Sequence, residues 1–161
     1  DAILQQVRSY RPGYVTVTGG EPLAQPNCLP LLSLLCDEGF EVSLETSGAM
    51  ATDAVDPRVV KVIDLKTPAS GEVDRNDYST MNTLLPQDQV KFVICDRGDY
   101  EWARFKIDEY ALASKVSDIL FSPSFGQQDA RQLADWVIAD NLPVRLQLQL
   151  HKLLWDDAAG H

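Results

Sequence analysis

Residues 14–22, Tyr-Val-Thr-Val-Thr-Gly-Gly-Glu-Pro, decide the architecture of this chain. Residues 14–18 are all β-branched or aromatic, which predicts a β-strand. A glycine pair directly after a strand indicates a backbone that turns sharply or that is approached closely, because a Cβ atom would obstruct either. The pair fits neither the GxGxxG pattern nor a P-loop, so its spacing alone predicts no phosphate cradle.

The rest of the chain alternates between strand and helix patterns. Further β-rich runs cover residues 41–45, 59–64, 90–95, 118–122 and 144–150. Apolar spacing predicts helices over 2–9, 27–38, 99–113 and 128–141, with Asp99 available as an N-cap. This alternation is typical of parallel βα units, so we expect one α/β domain over residues 1–161, its sheet open or closed. The polar stretch 67–89 is predicted to be a functional loop with a short helix around 78–84.

Composition narrows the class of protein. The chain has 161 residues, of which 24 are acidic and 14 basic, giving a net charge of −10 that disfavours nucleic-acid binding. It contains neither a long apolar run nor a secretion signal, which predicts a cytoplasmic protein without membrane contact. Its three cysteines, Cys28, Cys36 and Cys95, form no CxxC pair, and we expect structural thiols rather than a disulfide framework.

Polar residues collect where the predicted strands end. Because the carboxyl ends of parallel strands meet at one edge of a sheet, these residues are expected to surround one mouth and form a small-molecule site. Taken singly, each could equally be a solvent-exposed residue at a strand end. The segments are Thr18-Gly19-Gly20-Glu21-Pro22, Glu45-Thr46-Ser47-Gly48, Asp64-Leu65-Lys66-Thr67-Pro68, Ser122-Pro123-Ser124, and Gln149 with His151 and Lys152.

The last β-rich run has two interpretations. As a strand, it would place Arg145, Gln147, Gln149 and His151 on one face and leucines on the other. The polar face would line the interior of a barrel near its mouth, or the run would be an edge strand with one solvated face.

Together these segments carry a resemblance. Residues 17–22 resemble the GGEP motif of radical S-adenosylmethionine (SAM) enzymes, and 45–48 (ETSG), 64–68 (DLKTP) and 150–152 (LHK) resemble the 7-carboxy-7-deazaguanine synthase family. The resemblance implies a partial parallel (β/α) barrel in which residues 14–18 form the family's second strand. The first strand and the loop that binds the iron–sulfur cluster are then expected to lie outside this sequence.

The resemblance also implies an activity. Family members belong to queuosine and other deazapurine biosynthesis and convert 6-carboxy-5,6,7,8-tetrahydropterin into 7-carboxy-7-deazaguanine with loss of ammonia. They use SAM, a [4Fe–4S] cluster and Mg²⁺, and we expect an electron donor such as flavodoxin and a homodimer. The family's cluster cysteines and Mg²⁺-binding threonine precede the GGEP motif and are absent here. Cys28 and Cys36 follow the motif and lack the close pair, so we expect the chain alone to be inactive.

Site residues follow from the same resemblance. Thr18 and His151 are expected to contact the substrate, and Lys66 to pair with the SAM carboxylate. A purely structural role stays open for each. The full set expected to bind SAM is Gly19, Gly20, Glu21, Ser47, Asp64, Leu65, Lys66, Ser122, Pro123, Ser124 and Phe125.

Two other functions remain open. One is a different radical SAM enzyme, such as one that activates a glycyl-radical partner protein. The other is a SAM-binding module without a redox centre. Three cysteines with a CxxC pair upstream of residue 1 would favour the enzyme.

Overall fold

The sheet has six parallel strands in the order of the chain. The structure, a computed structural model, describes residues 2–155, apart from the side chains of residues 151, 153 and 155. Each strand pairs with the next, and no pairing joins the first strand to the last within the described residues, so the sheet is not closed. The predicted α/β partial barrel is therefore confirmed. The strands are β1 (Tyr14–Val17), β2 (Glu41–Thr46), β3 (Val60–Asp64), β4 (Gln89–Ile94), β5 (Asp118–Pro123) and β6 (Arg145–Leu146).

Three α-helices of the described residues connect consecutive strands, and these three were predicted with small shifts at their ends. The structure has α1 (Ala2–Tyr10), α2 (Cys28–Asp37), α3 (Arg97–Glu109), α4 (Ala130–Ala139) and α5 (Leu150–Trp155). The predicted loop 67–89 contains short 3-10 helices at Pro68–Ser70, Val73–Arg75 and Tyr78–Asn82, the last of them within the predicted 78–84. No helix of residues 2–155 is long and apolar enough to cross a membrane.

The helices pack against one face of the sheet. Val42 and Leu44 of β2 are buried with Leu32 and Leu35 of α2 in one apolar cluster. A second cluster joins β4 and β5 to α3 and α4 around Phe92, Tyr100, Phe121 and Leu133. Connections between parallel strands are right-handed. When each one leads to the next strand in the same direction, the connecting helices lie on the same side of the sheet.

The opposite face is polar, and we call it the inner face. Side chains alternate along a strand, so the residues between the core positions point there. Thr16 and Ser43 hydrogen-bond each other on this face through their hydroxyls at 2.9 Å. Its other members include Glu45, Val62, Asp64, Lys91, Leu120, Ser122 and Gln147, by their register.

The strand predicted over residues 144–150 is shorter in the structure, and it lies at an edge of the sheet, as one of its two interpretations had it. Only Arg145 and Leu146 form a strand, and the chain then passes into α5 at Leu150. This strand pairs only with β5 among the described residues, so few backbone hydrogen bonds hold it extended. Gln147 still donates its N–H to Phe121 O at 2.8 Å, but His151 does not share a strand face with Arg145.

Candidate functional site at the carboxyl edge of the sheet

The Gly19-Gly20 turn follows β1 and is left-handed in backbone conformation. Gly19 has φ 102° and Gly20 has φ 60°, values that side chains with a Cβ rarely adopt. No heavy atom lies within 4 Å of the Cβ position of either residue. The glycines are therefore required by the turn itself rather than by crowding, and the space in front of them is open to a ligand.

Glu21 fastens this turn to the one after β2. Its Oε1 accepts from Leu23 N at 3.1 Å and from the Thr46 hydroxyl at 2.8 Å, and its Oε2 accepts from Ser47 N at 2.9 Å. The Ser47 hydroxyl also donates to Oε2. Burial raises the pKa of Glu21, but these hydrogen bonds outweigh it and hold the pKa below its ordinary value. Both oxygens are thus engaged by protein donors, and the carboxylate orients two turns of the site.

The turn after β3 is held by a residue of the long loop. Asn76 Oδ1 accepts from Lys66 N at 2.9 Å, and Asn76 Nδ2 donates to Lys66 O at 2.9 Å. The Lys66 ammonium lies 2.8 Å from Asp64 Oδ2. Asp64 Oδ1 is buried and has no hydrogen-bond partner among the described residues. The pair therefore leaves one buried carboxylate oxygen without a protein donor in the described part of the chain.

Asp99 braces the same turn, a role that the sequence did not reveal. The predicted N-cap at Asp99 was wrong: α3 is capped by Asp96, whose carboxylate accepts from Asp99 N at 2.9 Å. The buried Asp99 carboxylate instead accepts from Thr67 Oγ1 at 2.9 Å, Ala69 N at 2.9 Å and Cys95 N at 3.0 Å. It thereby ties the end of β3 to the end of β4. The sequence did carry a signal for the cap, since Asp96 is also a preferred N-cap residue and lies three residues before Asp99.

Cavities line the carboxyl edge of the sheet. One of about 320 Å³ is bounded by Asp64, Leu65, Lys66 and Ser124, and one of about 340 Å³ is bounded by Thr18 and Gly19 among others. A third, of about 170 Å³, touches Pro123, Ser124 and Phe125, whose ring is 53% exposed. The Ser122 hydroxyl, in β5 next to Pro123, is buried without a partner among the described residues, and native proteins rarely leave such an atom unsatisfied.

Most of the expected site residues thus lie along one edge. Thr18 follows β1 directly and donates weakly to Glu45 Oε2 at 3.5 Å. His151 lies in α5, and its side chain falls outside the described part of the chain. A cavity of about 410 Å³ at the other end of the sheet, around Phe40 and Arg58, lacks these turns.

Known proteins identify the family. No protein-family model matches the chain. The 7-carboxy-7-deazaguanine synthase of Chlorobaculum tepidum is 43% identical over 164 residues, which cover 99% of this chain and 74% of that protein. The synthase of Koribacter versatilis is also 43% identical, over 96% of this chain and 75% of that protein. The chain belongs to the 7-carboxy-7-deazaguanine synthase family.

Solved structures extend the likeness to the fold. SuiB of Streptococcus suis has a TM-score of 0.63 at 12% identity over 92% of this chain, and SuiB bound to S-adenosylmethionine has a TM-score of 0.64. This chain spans about two fifths of the length of SuiB (42% and 40%). At that identity the likeness concerns the fold, and the predicted radical SAM fold is confirmed.

The cysteines of this synthase-family chain do not converge. Cys28 and Cys36 lie in α2, Cys95 follows β4, and all three are free thiols. Burial raises the pKa of each, so the thiols stay protonated near neutral pH. Within residues 2–155, no three His, Cys, Asp or Glu side chains are grouped to hold a metal ion. The described residues therefore do not fit an iron–sulfur cluster.

Proposed function

We propose that this chain is part of a 7-carboxy-7-deazaguanine synthase, a radical SAM lyase that contracts 6-carboxy-5,6,7,8-tetrahydropterin to 7-carboxy-7-deazaguanine with loss of ammonia. The observation that carries the proposal is the 43% identity to named synthases over nearly the whole chain. The row of polar turns at the carboxyl edge of a parallel sheet supports it, because ligands bind there in α/β proteins.

SAM is proposed to bind along this edge. Gly19 and Gly20 offer backbone groups to the methionyl amine, and Ser47 lies beside them in a turn that Glu21 orients. Lys66 pairs with the SAM carboxylate, and Asp64 Oδ1 and Leu65 line the ribose, which supplies the hydroxyl donor that Asp64 Oδ1 lacks.

The adenine is proposed to lie at the end of β5. Ser122, Pro123, Ser124 and Phe125 follow one another there, and the exposed ring of Phe125 offers a surface for stacking. Thr18 and His151 are proposed to contact the pterin. Glu21 acts as a positioning residue, since its oxygens already accept from protein donors.

The remaining cofactors and partners are proposed from the family. A [4Fe–4S] cluster and Mg²⁺ supply the radical and Lewis-acid chemistry when bound, with protein ligands that lie outside residues 2–155. An electron donor such as flavodoxin, a homodimer and a cytoplasmic location complete the proposal.

The test is product formation by the full-length protein after anaerobic iron–sulfur reconstitution. With SAM, dithionite and the carboxytetrahydropterin, mass spectrometry is expected to detect 7-carboxy-7-deazaguanine. Lys66→Ala is expected to raise the KM for SAM, whereas Lys115→Ala, at an exposed position away from the site, serves as the matched control. SAM cleavage without this product would replace the synthase with another radical SAM enzyme. A protein that assembles no cluster but binds SAM would be a binding module.

A further inference from the structure

The inner face carries one cation whose charge the described residues leave unpaired. Lys66 lies 2.8 Å from Asp64, and Arg145 lies 3.3 Å from Asp118, so these two cations have carboxylate partners. Lys91 has neither a hydrogen bond from its side chain nor an ion pair with any residue of the described chain. Its ammonium group is therefore available to a ligand.

The position of Lys91 argues against a purely structural role for this side chain. It lies in the middle of β4, between Val90 and Phe92, which are fully buried on the helix side, and its own side chain is half-buried on the inner face. Its register neighbours are Asp64 of β3 and Leu120 of β5. Central strands of parallel sheets are usually apolar, and a charge that loses water without gaining a partner is destabilising.

Other polar atoms on the same face also lack partners. Asp64 Oδ1, Ser122 Oγ and Gln147 Oε1 are buried and unpartnered within the described chain. The first two are assigned to SAM, which leaves the Gln147 amide oxygen, an acceptor of N–H groups, together with the positive charge of Lys91. These two groups suit a small polar heterocycle that carries ring N–H groups and a carboxylate. Because the chain has a net charge of −10, which repels anions, a carboxylate ligand needs a cation at its binding site.

We propose that Lys91 binds the carboxylate of the substrate and thereby determines specificity for a carboxylated pterin; this inference rests on the proposed function. SAM also carries a carboxylate, so the same chemistry has two sources. Lys66 lies at the strand end, beside the turns proposed to bind SAM. Lys91 lies deeper, because it is level in register with Asp64, two residues before Lys66, and three residues before the end of β4 at Ile94. The substrate carboxylate is therefore the one assigned to Lys91.

The test compares two ligands and two lysines in the reconstituted full-length protein. Anaerobic calorimetry measures the Kd of 6-carboxytetrahydropterin and of tetrahydropterin without the carboxyl group. The wild type is expected to prefer the carboxylated ligand by roughly 10- to 100-fold, the range of a charge-assisted hydrogen bond. Lys91→Met is expected to lose most of that preference, Lys91→Arg to keep part of it, and the exposed Lys115→Met to keep all of it.

Each result bears on the inference differently. A thermal midpoint of Lys91→Met equal to or above that of the wild type is expected, because an unpaired charge is removed. An unchanged ligand preference in Lys91→Met overturns the assignment, and so does a loss of SAM affinity alone. If the wild type binds neither pterin, the proposed function fails and the inference fails with it. If the wild type shows the preference and Lys91→Met retains it, only the inference fails.

Discussion

Replacing Glu21 by Gln should weaken the link between the turns after β1 and β2. The carboxylate accepts two backbone N–H groups, from Leu23 at 3.1 Å through Oε1 and from Ser47 at 2.9 Å through Oε2. A Gln side chain of the same size presents one oxygen and one NH2 group. Whichever way its amide lies, the NH2 faces one of these N–H donors, which cannot reverse its role. The hydroxyls of Thr46 and Ser47 can rotate to accept instead.

The expected cost is therefore one hydrogen bond to a charged group. Such a bond contributes about 1.5–3 kcal/mol, and because Glu21 is half-buried, water replaces part of it. We expect a loss of about 2 kcal/mol in the free energy of unfolding. In a domain of this size that corresponds to a decrease in Tm of about 4–8 °C.

Urea denaturation followed by circular dichroism measures this loss as a lower midpoint at an unchanged slope. Glu41→Gln is the matched control, because Glu41 is exposed on β2 and should change the stability by less than about 0.5 kcal/mol. Equal midpoints for the two variants would show that the Glu21 carboxylate does not stabilise the two turns. The pKa of Glu21 is lowered in the folded protein from its ordinary 4.5, so its contribution is complete above about pH 4.5 and is lost as the pH falls through the lowered pKa. In acid, therefore, the wild type and Glu21→Gln should have nearly equal free energies of unfolding.

Other changes should act through single contacts. Asp99→Asn loosens the turn after β3 and should raise the Kd of the full-length protein for SAM about tenfold by calorimetry; an unchanged Kd would contradict the bracing role. In Lys61→Met, the fully buried Asp88 loses the ammonium group that lies 2.8 Å away, so the free energy of unfolding should fall by about 3–5 kcal/mol. Urea denaturation measures this loss, and a value below about 1 kcal/mol would contradict a stabilising role of the pair. Gly48→Ala places a Cβ at φ 71° and 3.0 Å from a side chain of β3, and should destabilise more than Gly126→Ala, which has φ 75° and open space; equal losses would exclude the clash.

The sequence predicted most of the sheet because its signals were local. Strands such as 90–95 carry runs of β-branched and aromatic residues, and the glycine pair after residue 18 marks a turn by its own backbone needs. Strict alternation over 144–150 predicted a strand that is too long. The alternative of an edge strand holds for Arg145 and Leu146, but the pattern does not show how few backbone hydrogen bonds a single neighbour provides.

The hydrogen bonds of the site were beyond sequence reasoning for a different reason. Glu21 meets Thr46 and Ser47 across 25 and 26 residues, and Asp99 meets Thr67 across 32. No local pattern encodes such partners, since they follow from the way the strand ends converge. The sequence predicted where the turns lie, and the structure showed that Glu21 and Asp99 hold them in place.

Hydrogen–deuterium exchange of the reconstituted full-length protein, with and without SAM, tests the location of the site most directly. With SAM bound, we expect slower exchange in the turns that follow β1, β2, β3 and β5, with little change around Phe40 and Arg58 at the opposite end of the sheet. Protection confined to that opposite end, with the four turns exchanging as before, would contradict it.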